Sequence, residues 1–122
     1  MPSERQRLGY RVEQDVARFL EAKGLEPLAR NFTSRFGELD LIMWEDNTLV
    51  VVEVRHRNHN SLVGALESIS PSKRQRIVRA TQRLISCDPE LQAHPIRFDV
   101  VAVDGDPEAP NVQWLRDAFR PW

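Results

Sequence analysis

Cysteine occurs once in this 122-residue chain, at Cys87, so no disulfide can form within it and a packed core must hold the fold. Glycine is scarce, five residues in all, and no Gly-rich stretch has the form of a phosphate-cradling loop. Neither sign of charge prevails. The 17 Lys and Arg nearly balance 18 Asp and Glu, giving a net charge of −1, so no overall positive field announces a nucleic-acid partner. Basic side chains can still be gathered on one face. No apolar run approaches the roughly 20 residues of a membrane helix, and the start "MPSERQRLGY" lacks the apolar stretch of a secretory signal. These absences argue against a membrane protein and lead us to expect one that works in a reducing cytoplasm.

What is present describes an ordinary globular chain. Hydrophobic residues make up 41% and charged residues 29%, and a chain of this length can bury roughly two thirds of its unfolded surface. No internal repeat, low-complexity tract or Pro/Gly-rich linker divides it, so residues 1–122 are expected to form one domain.

Leu8, Val12, Val16, Phe19 and Leu20 recur at spacings of three and four, predicting a helix from Arg5 to Lys23 that stops at Gly24. Glu13 falls on the margin of that stripe, beside Gly9 and Leu20, as a carboxylate at the edge of a core or a rim residue with its head in water. "EPLARNF" reads as a short strand, and the β-branched run "LVVVEV" reads as a central one. A second helix is predicted from Ser70 to Cys87. Ser70 or Ser72 is its cap, Pro71 lies in its first turn, and Ile77, Ala80, Thr81 and Leu84 face inward. "IRFDVVAV" is a later strand, joined to the Val50 strand by a right-handed crossover and therefore parallel to it. The tail "VQWLRDAFRPW" is expected to add a short strand and a helical turn that cover an edge with Trp114 and Phe119.

The stretch "FGELDLIMWEDNTLVVVEVRHR" sets three acids in or beside apolar runs. If Asp46 and Asn47 form a two-residue turn, Glu45 faces Thr48, Asp40 faces Glu53 and Glu38 faces Arg55. A four-residue loop gives the same register; a three-residue turn would shift it by one. Phe36, Glu38, Asp40 and Ile42 then share a face with Val51, Glu53, Arg55 and Arg57, expected to be the face covered by the first helix. Carboxylates opposed at about 5 Å repel unless something neutralises them. A hard cation such as Mg²⁺ does so with oxygen ligands and suits phosphodiester chemistry. Ion pairs with Arg35, Arg55 or Arg57, or a shared proton, would also serve.

The order Glu13 on a helix, Asp40 on a strand, and Glu53-x-Arg55 on the next resembles the PD-(D/E)xK nuclease superfamily, in particular its Holliday-junction-resolvase-like branch. Within that branch the chain is most similar to the YraN family of small bacterial proteins, through "GYRVEQDVARFLEAKG", "RNFTSRFGELDLIM", "LVVVEVRHR", "GALESISPSKRQRI", "RFDVVAV" and "WLRDAF". The resemblance covers nearly the whole chain. It implies an α/β restriction-endonuclease-like core in which helices flank a mixed sheet. It further implies Asp40 and Glu53 as ligands of Mg²⁺, or of Mn²⁺ in its place, with Glu13 as a further ligand or water-holding acid. Where the superfamily carries a catalytic lysine, this chain has Arg55, which stays protonated at any usable pH and cannot act as a base. Lys73, four residues before Ile77, can reach the same site from the second helix, or extend its stem over apolar surface into water.

For DNA, Arg76, Arg79 and Arg83 on the second helix, with Arg35 and Arg57 near the acids, form a candidate phosphate-gripping set, although spaced arginines also mark a solvated helix face. The polar stretch "HRNHNSLVGAL" is expected to be a loop that closes over substrate. His56, His59 and His94 lack partners at zinc-site spacing, and Cys87 reads as a small buried hydrophobe. Three readings stay open. The chain is an endonuclease acting on branched or damaged DNA, a homodimer if it resolves junctions; a non-catalytic nucleic-acid-binding or adaptor protein; or a scaffold whose acids only form ion pairs.

Overall fold

The computed structural model describes residues 3–57, 62–104 and 108–120; the side chains of Arg57, Leu62 and Val63 lie outside that description. The chain begins with helix α1 (Glu4–Ala22), continues through strands β1 (Glu26–Ser34), β2 (Gly37–Glu45) and β3 (Thr48–Arg57), and then forms helices α2 (Leu62–Glu67) and α3 (Pro71–Cys87). A 3₁₀ segment (Pro89–Ala93) leads into strands β4 (Ile96–Asp104) and β5 (Asn111–Phe119). The five strands form one mixed sheet in the order β1-β2-β3-β4-β5, with β3 and β4 parallel and every other neighbouring pair antiparallel.

The helix ends follow their capping residues. Ser3 caps α1, its hydroxyl accepting from the Gln6 N–H while the Gln6 side chain accepts from the Ser3 N–H. Gly24, at φ +100°, turns the chain out of the helix in a conformation that side-chain-bearing residues avoid. Ser70 caps α3 through the Lys73 N–H, with Pro71 in the first turn.

The sheet separates two apolar layers. On one side Val12, Val16, Ala17 and Leu20 of α1 pack on Leu41, Met43, Val50, Val52, Val101 and Val103. On the other, Ala65 and Ile69 with Ile77 and Ala80 of α3 pack on Leu39, Ile42, Leu49, Val51, Phe98, Val100 and Phe119. Val50, Val51 and Val52 are all essentially inaccessible because β3 is central and covered on both faces. Each such side chain contributes roughly 1.5–3 kcal/mol relative to exposure. The stripe on α1 is buried at Val12, Val16 and Leu20 and partly buried at Phe19, and Leu8 remains 38% exposed.

Two expectations are corrected. The tail holds no helical turn in residues 111–119: β5 runs the whole length, pairing with β4 from Asp104–Asn111 to Phe98–Phe119 across an irregularity near Asp117, whose φ is +52°. A helical turn would have left the β4 edge unpaired, whereas the strand satisfies that edge and sends Trp114 to the α1 layer and Phe119 to the α3 layer. The stretch after β3 includes the helix α2, with Ala65 and Ile69 inaccessible to water, in place of a continuous loop. Residues 58–61, including His59, lie outside the described residues.

Candidate functional site

The turn at Asp46 and Asn47 sets the β2–β3 register as expected, with Glu45 opposite Thr48 and the pairing regular to Leu41 opposite Val52. Among the described residues the backbone pairing goes no further. One position on, the Asp40 carboxylate accepts a hydrogen bond from the Val54 N–H at 2.9 Å. The expected oppositions of Asp40 to Glu53 and of Glu38 to Arg55 are thus absent among the described residues; Glu38 lies across from Thr33 of β1.

The expected face is also corrected. Ile42 and Val51, the neighbours of Asp40 and Glu53 at period two, belong to the α3 layer and not the α1 layer. Alternation breaks at Asp40, since Leu39 and Ile42 both face α3 while Leu41 faces α1. Across from the break, the flanking pairs Arg30–Leu41 and Phe32–Leu39 place Asn31, at φ +52°, opposite Asp40. This local kink explains how Asp40 interacts with Glu53 and also with Glu13, which α1 brings from the other side of the sheet.

Glu53 is 2% exposed, its place on the central strand removing it from water. Its Oε2 lies 3.5 Å from the Arg55 guanidinium and 3.9 Å from Lys73 Nζ, and its Oε1 is buried with no hydrogen-bond partner. Burial raises its pKa, with a further contribution from the charge of Asp40, and the two cations do not offset this: the carboxyl is pushed from 4.5 to about 8. Burial also raises Asp40, against the Val54 hydrogen bond, Arg55 and Lys73. Glu13 is half-buried, and desolvation followed by the charges of Asp40 and Glu38 lifts it to about 7. With its amide turned to suit its neighbours, Asn31 donates to Glu13 Oε1 at 3.0 Å and to Glu38 Oε1 at 2.8 Å.

Lys73 reaches the acids because Ser70 fixes the start of α3 and Ile77, one turn later, anchors the same face in the core. A cation in a helix's first turn opposes the helix dipole, so the nearby carboxylate is what favours its position. Glu38, Asp40 and Glu53 open into a cavity of about 270 Å³, closed on the helix side by Lys73, Arg76 and Ile77 and bordered by Phe36.

The arginines expected on one flank separate. Arg76 lines the carboxylate cavity, Arg83 lines an adjoining groove with Arg35, and Arg79 lines a groove beyond α3 with Arg74 and Arg120. Arg35 is stacked over the Phe36 ring, 4.8 Å from its centroid. Arg57 pairs by its backbone with Asp104, and its side chain lies outside the described residues. Cys87 is exposed in the Arg83 groove, correcting the expectation of a buried thiol: Leu84 and Ile85 of the same last turn are the residues that pack on the core. His94 meets the Asn47 carbonyl at 3.0 Å and stands edge-on to Trp44, a structural role. Asn31 was not legible as a site residue, since a lone Asn in a strand carries no spacing signal.

Among the described residues, no three His, Cys, Asp or Glu side chains are grouped so as to hold a metal ion. The unpartnered Glu53 oxygen beside Asp40 instead fits a divalent cation of the kind that takes one or two protein carboxylates and keeps water in its other positions.

A sequence profile of the uncharacterised protein family UPF0102 matches residues 12–103. The chain belongs to this family. UPF0102 proteins similar to it include one from Stutzerimonas stutzeri, 41% identical over 117 residues, covering 96% of this chain and 98% of that relative. Another, from Pseudomonas fluorescens, is 44% identical over 115 residues, covering 93% and 94% of the two chains. A third, from Xanthomonas oryzae, is 42% identical over 120 residues, covering 98% and 97%. The UPF0102 match agrees with the YraN-type resemblance read from the motifs. It spans Glu13, Asp40, Glu53, Arg55 and Lys73, but not β5. Among the described residues no helix is long and apolar enough to cross a membrane.

Proposed function

We propose that this UPF0102 protein is a nuclease-like enzyme with a restriction-endonuclease-like core, hydrolysing phosphodiester bonds in DNA, including branched or damaged DNA. One observation carries the reading: two adjacent carboxylates, one buried with an unpartnered oxygen, are flanked by Arg55 and Lys73 and open to a cavity.

Asp40 and Glu53 would hold Mg²⁺ or Mn²⁺, an ion that supplies charge neutralisation and an acidified water when bound. Glu13, its pKa near 7, would hold the attacking water from the α1 side and accept its proton. Water oxygen bonds to phosphorus as the bond to the leaving oxygen breaks, and that oxygen then takes a proton from solvent water, while the proton held by Glu13 returns to solvent. Arg55 binds the charge that develops on the phosphoryl oxygens but moves no proton. Lys73 stabilises the same charge from α3. Arg76 and Arg83 would grip flanking phosphates, with Arg35 beside them and Arg79 on the outer flank of α3. Cutting both strands of a junction would require a homodimer.

Arg55 at the lysine position favours one rival, a binding module without cleavage. Metal titration and cleavage of linear, flapped and four-way DNA separate the two. The enzyme reading expects Mg²⁺- or Mn²⁺-dependent products that disappear in Glu53→Ala and metal binding that disappears in Asp40→Ala. DNA binding without cleavage under either metal would leave the binding module.

A further inference from the structure

The carboxylate cavity does not stand alone. Phe36 borders it on one side and on the other lines a groove of about 600 Å³, formed with Phe32, Arg35, Arg83 and Cys87. That volume lies within the roughly 300–1,000 Å³ of small-molecule sites. Its lining combines the aromatic Phe32 and Phe36 with the basic Arg35 and Arg83, and among the described residues no acidic one lines it. We infer that this groove seats an unpaired nucleotide of a DNA strand whose neighbouring phosphate lies at the carboxylates, so that the substrate carries a single-stranded arm. The inference rests on the nuclease-like reading and adds the substrate feature.

Three observations point to a nucleotide over an apolar peptide or a second copy of the chain. Phe32 and Phe36 are only partly buried, so aromatic surface remains for a base to stack on. The Arg35 guanidinium, already 4.8 Å from the Phe36 centroid, can stack on a base or pair with its phosphate. The groove also continues through Phe36 into the cavity lined by Lys73 and Arg76, giving one strand a basic path between the two. A base pair inside a duplex could not use the groove without unstacking, whereas an unpaired base pays no such cost.

Cys87, the sole cysteine, sits in the groove and reports its occupancy. The rate at which a chromogenic disulfide reagent modifies Cys87 is measured in the full chain with EDTA, so that no cleavage intervenes. Blunt duplex is compared with the same duplex carrying a five-nucleotide single-stranded arm. The armed duplex is expected to protect Cys87 and to bind about 5–150-fold more tightly, the range that stacking one base implies. Phe36→Leu keeps the apolar packing and removes the aromatic face. It should erase most of that preference, bringing the armed duplex down toward the blunt one; Arg83→Ala, at the same groove, should weaken the armed duplex more than the blunt one.

Equal affinity and equal protection by the two duplexes would overturn the inference. So would an undiminished preference in Phe36→Leu, or protection that grows with protein concentration in the absence of DNA, which would assign the groove to a second copy. Arm-dependent protection without metal-dependent cleavage would keep the groove assignment and remove the enzyme reading, so the two fail separately.

Discussion

Glu53 and Asp99 are carboxylates buried on adjacent strands, 2% and 0% exposed, and they are treated in opposite ways. Each oxygen of Asp99 accepts two hydrogen bonds: Oδ1 from Arg97 Nε at 2.8 Å and the Asp117 N–H at 2.9 Å, Oδ2 from Arg97 at 3.0 Å and Trp114 Nε1 at 2.9 Å. Arg97 pairs in turn with Glu45, which also binds Arg116, and Arg116 stacks over Trp114. That network ties β5 to β4 and β2. Glu53 has two cations beyond close hydrogen-bonding distance and one oxygen without a partner. An unsatisfied buried acceptor costs about 1–3 kcal/mol, less than the burial of the three neighbouring β3 valines contributes. The fold can therefore carry an under-satisfied acid, and the difference separates a carboxylate that holds structure from one left available for a ligand.

The largest expected effect lies at the satisfied acid. Asp99→Ala should destabilise the protein by about 3–5 kcal/mol, the usual cost of breaking a buried charge pair, read from denaturant midpoints. A loss under about 1 kcal/mol would erase the distinction.

Next in size is catalysis at the other carboxylate. Lys73→Ala should lower any Mg²⁺-dependent cleavage by about 10²–10³, as loss of one charge-stabilising donor does, with folding stability changed little. Unaltered single-turnover rates would remove Lys73 from the site.

Smaller, and opposite in sign to Asp99→Ala, is the stability effect of Glu53→Gln. In metal-free protein at pH 8 it should stabilise by about 1 kcal/mol or more, since the Glu53 carboxyl, ionised in the unfolded chain, is opposed by burial in the folded one and glutamine carries no such penalty. The pH dependence follows from linkage. Between its ordinary 4.5 and about 8, Glu53 is protonated in the folded chain and ionised in the unfolded one, and Glu13 behaves alike up to about 7. The folded state then binds more protons, so metal-free stability falls as pH rises through that window. Mg²⁺ should reverse the fall at pH 8, and Glu53→Gln should flatten it; thermal melts from pH 5 to 8 measure both. A flat parent profile would contradict the contrast.

The smallest effect is expected for Arg55→Lys, which keeps the positive charge beside Glu53. Cleavage should be retained or rise, and a drop comparable to that of Lys73→Ala would make the arginine fork itself the needed group.

Much of this molecule could be read locally. Ser3, Gly24, Ser70 and Pro71 mark helix ends because capping and left-handed backbone are short-range effects. Asp46 and Asn47 set the β2–β3 register for the same reason. The length of β5 was not legible, because "VQWLRDAF" carries apolar residues destined for both layers and its conformation answers to the open edge of β4. Nor was α2, a six-residue helix too short to be stable alone and held by the burial of Ala65.

By itself the sequence determined most of the elements, the approach of Asp40 to Glu53, the place of Lys73 one turn before Ile77 and the resemblance that singled out Glu13 and Arg55, since period, capping and turn length act over a few residues. The tertiary structure alone decided that α3 covers those acids, that Asn31 bridges Glu13 to Glu38, and that Asp99 is satisfied while Glu53 is not. The physical reason is that desolvation and hydrogen-bond satisfaction sum over neighbours far apart in the chain. Whether a buried carboxylate becomes a structural tie or a candidate site depends on which donors the packed helices and strands bring within reach.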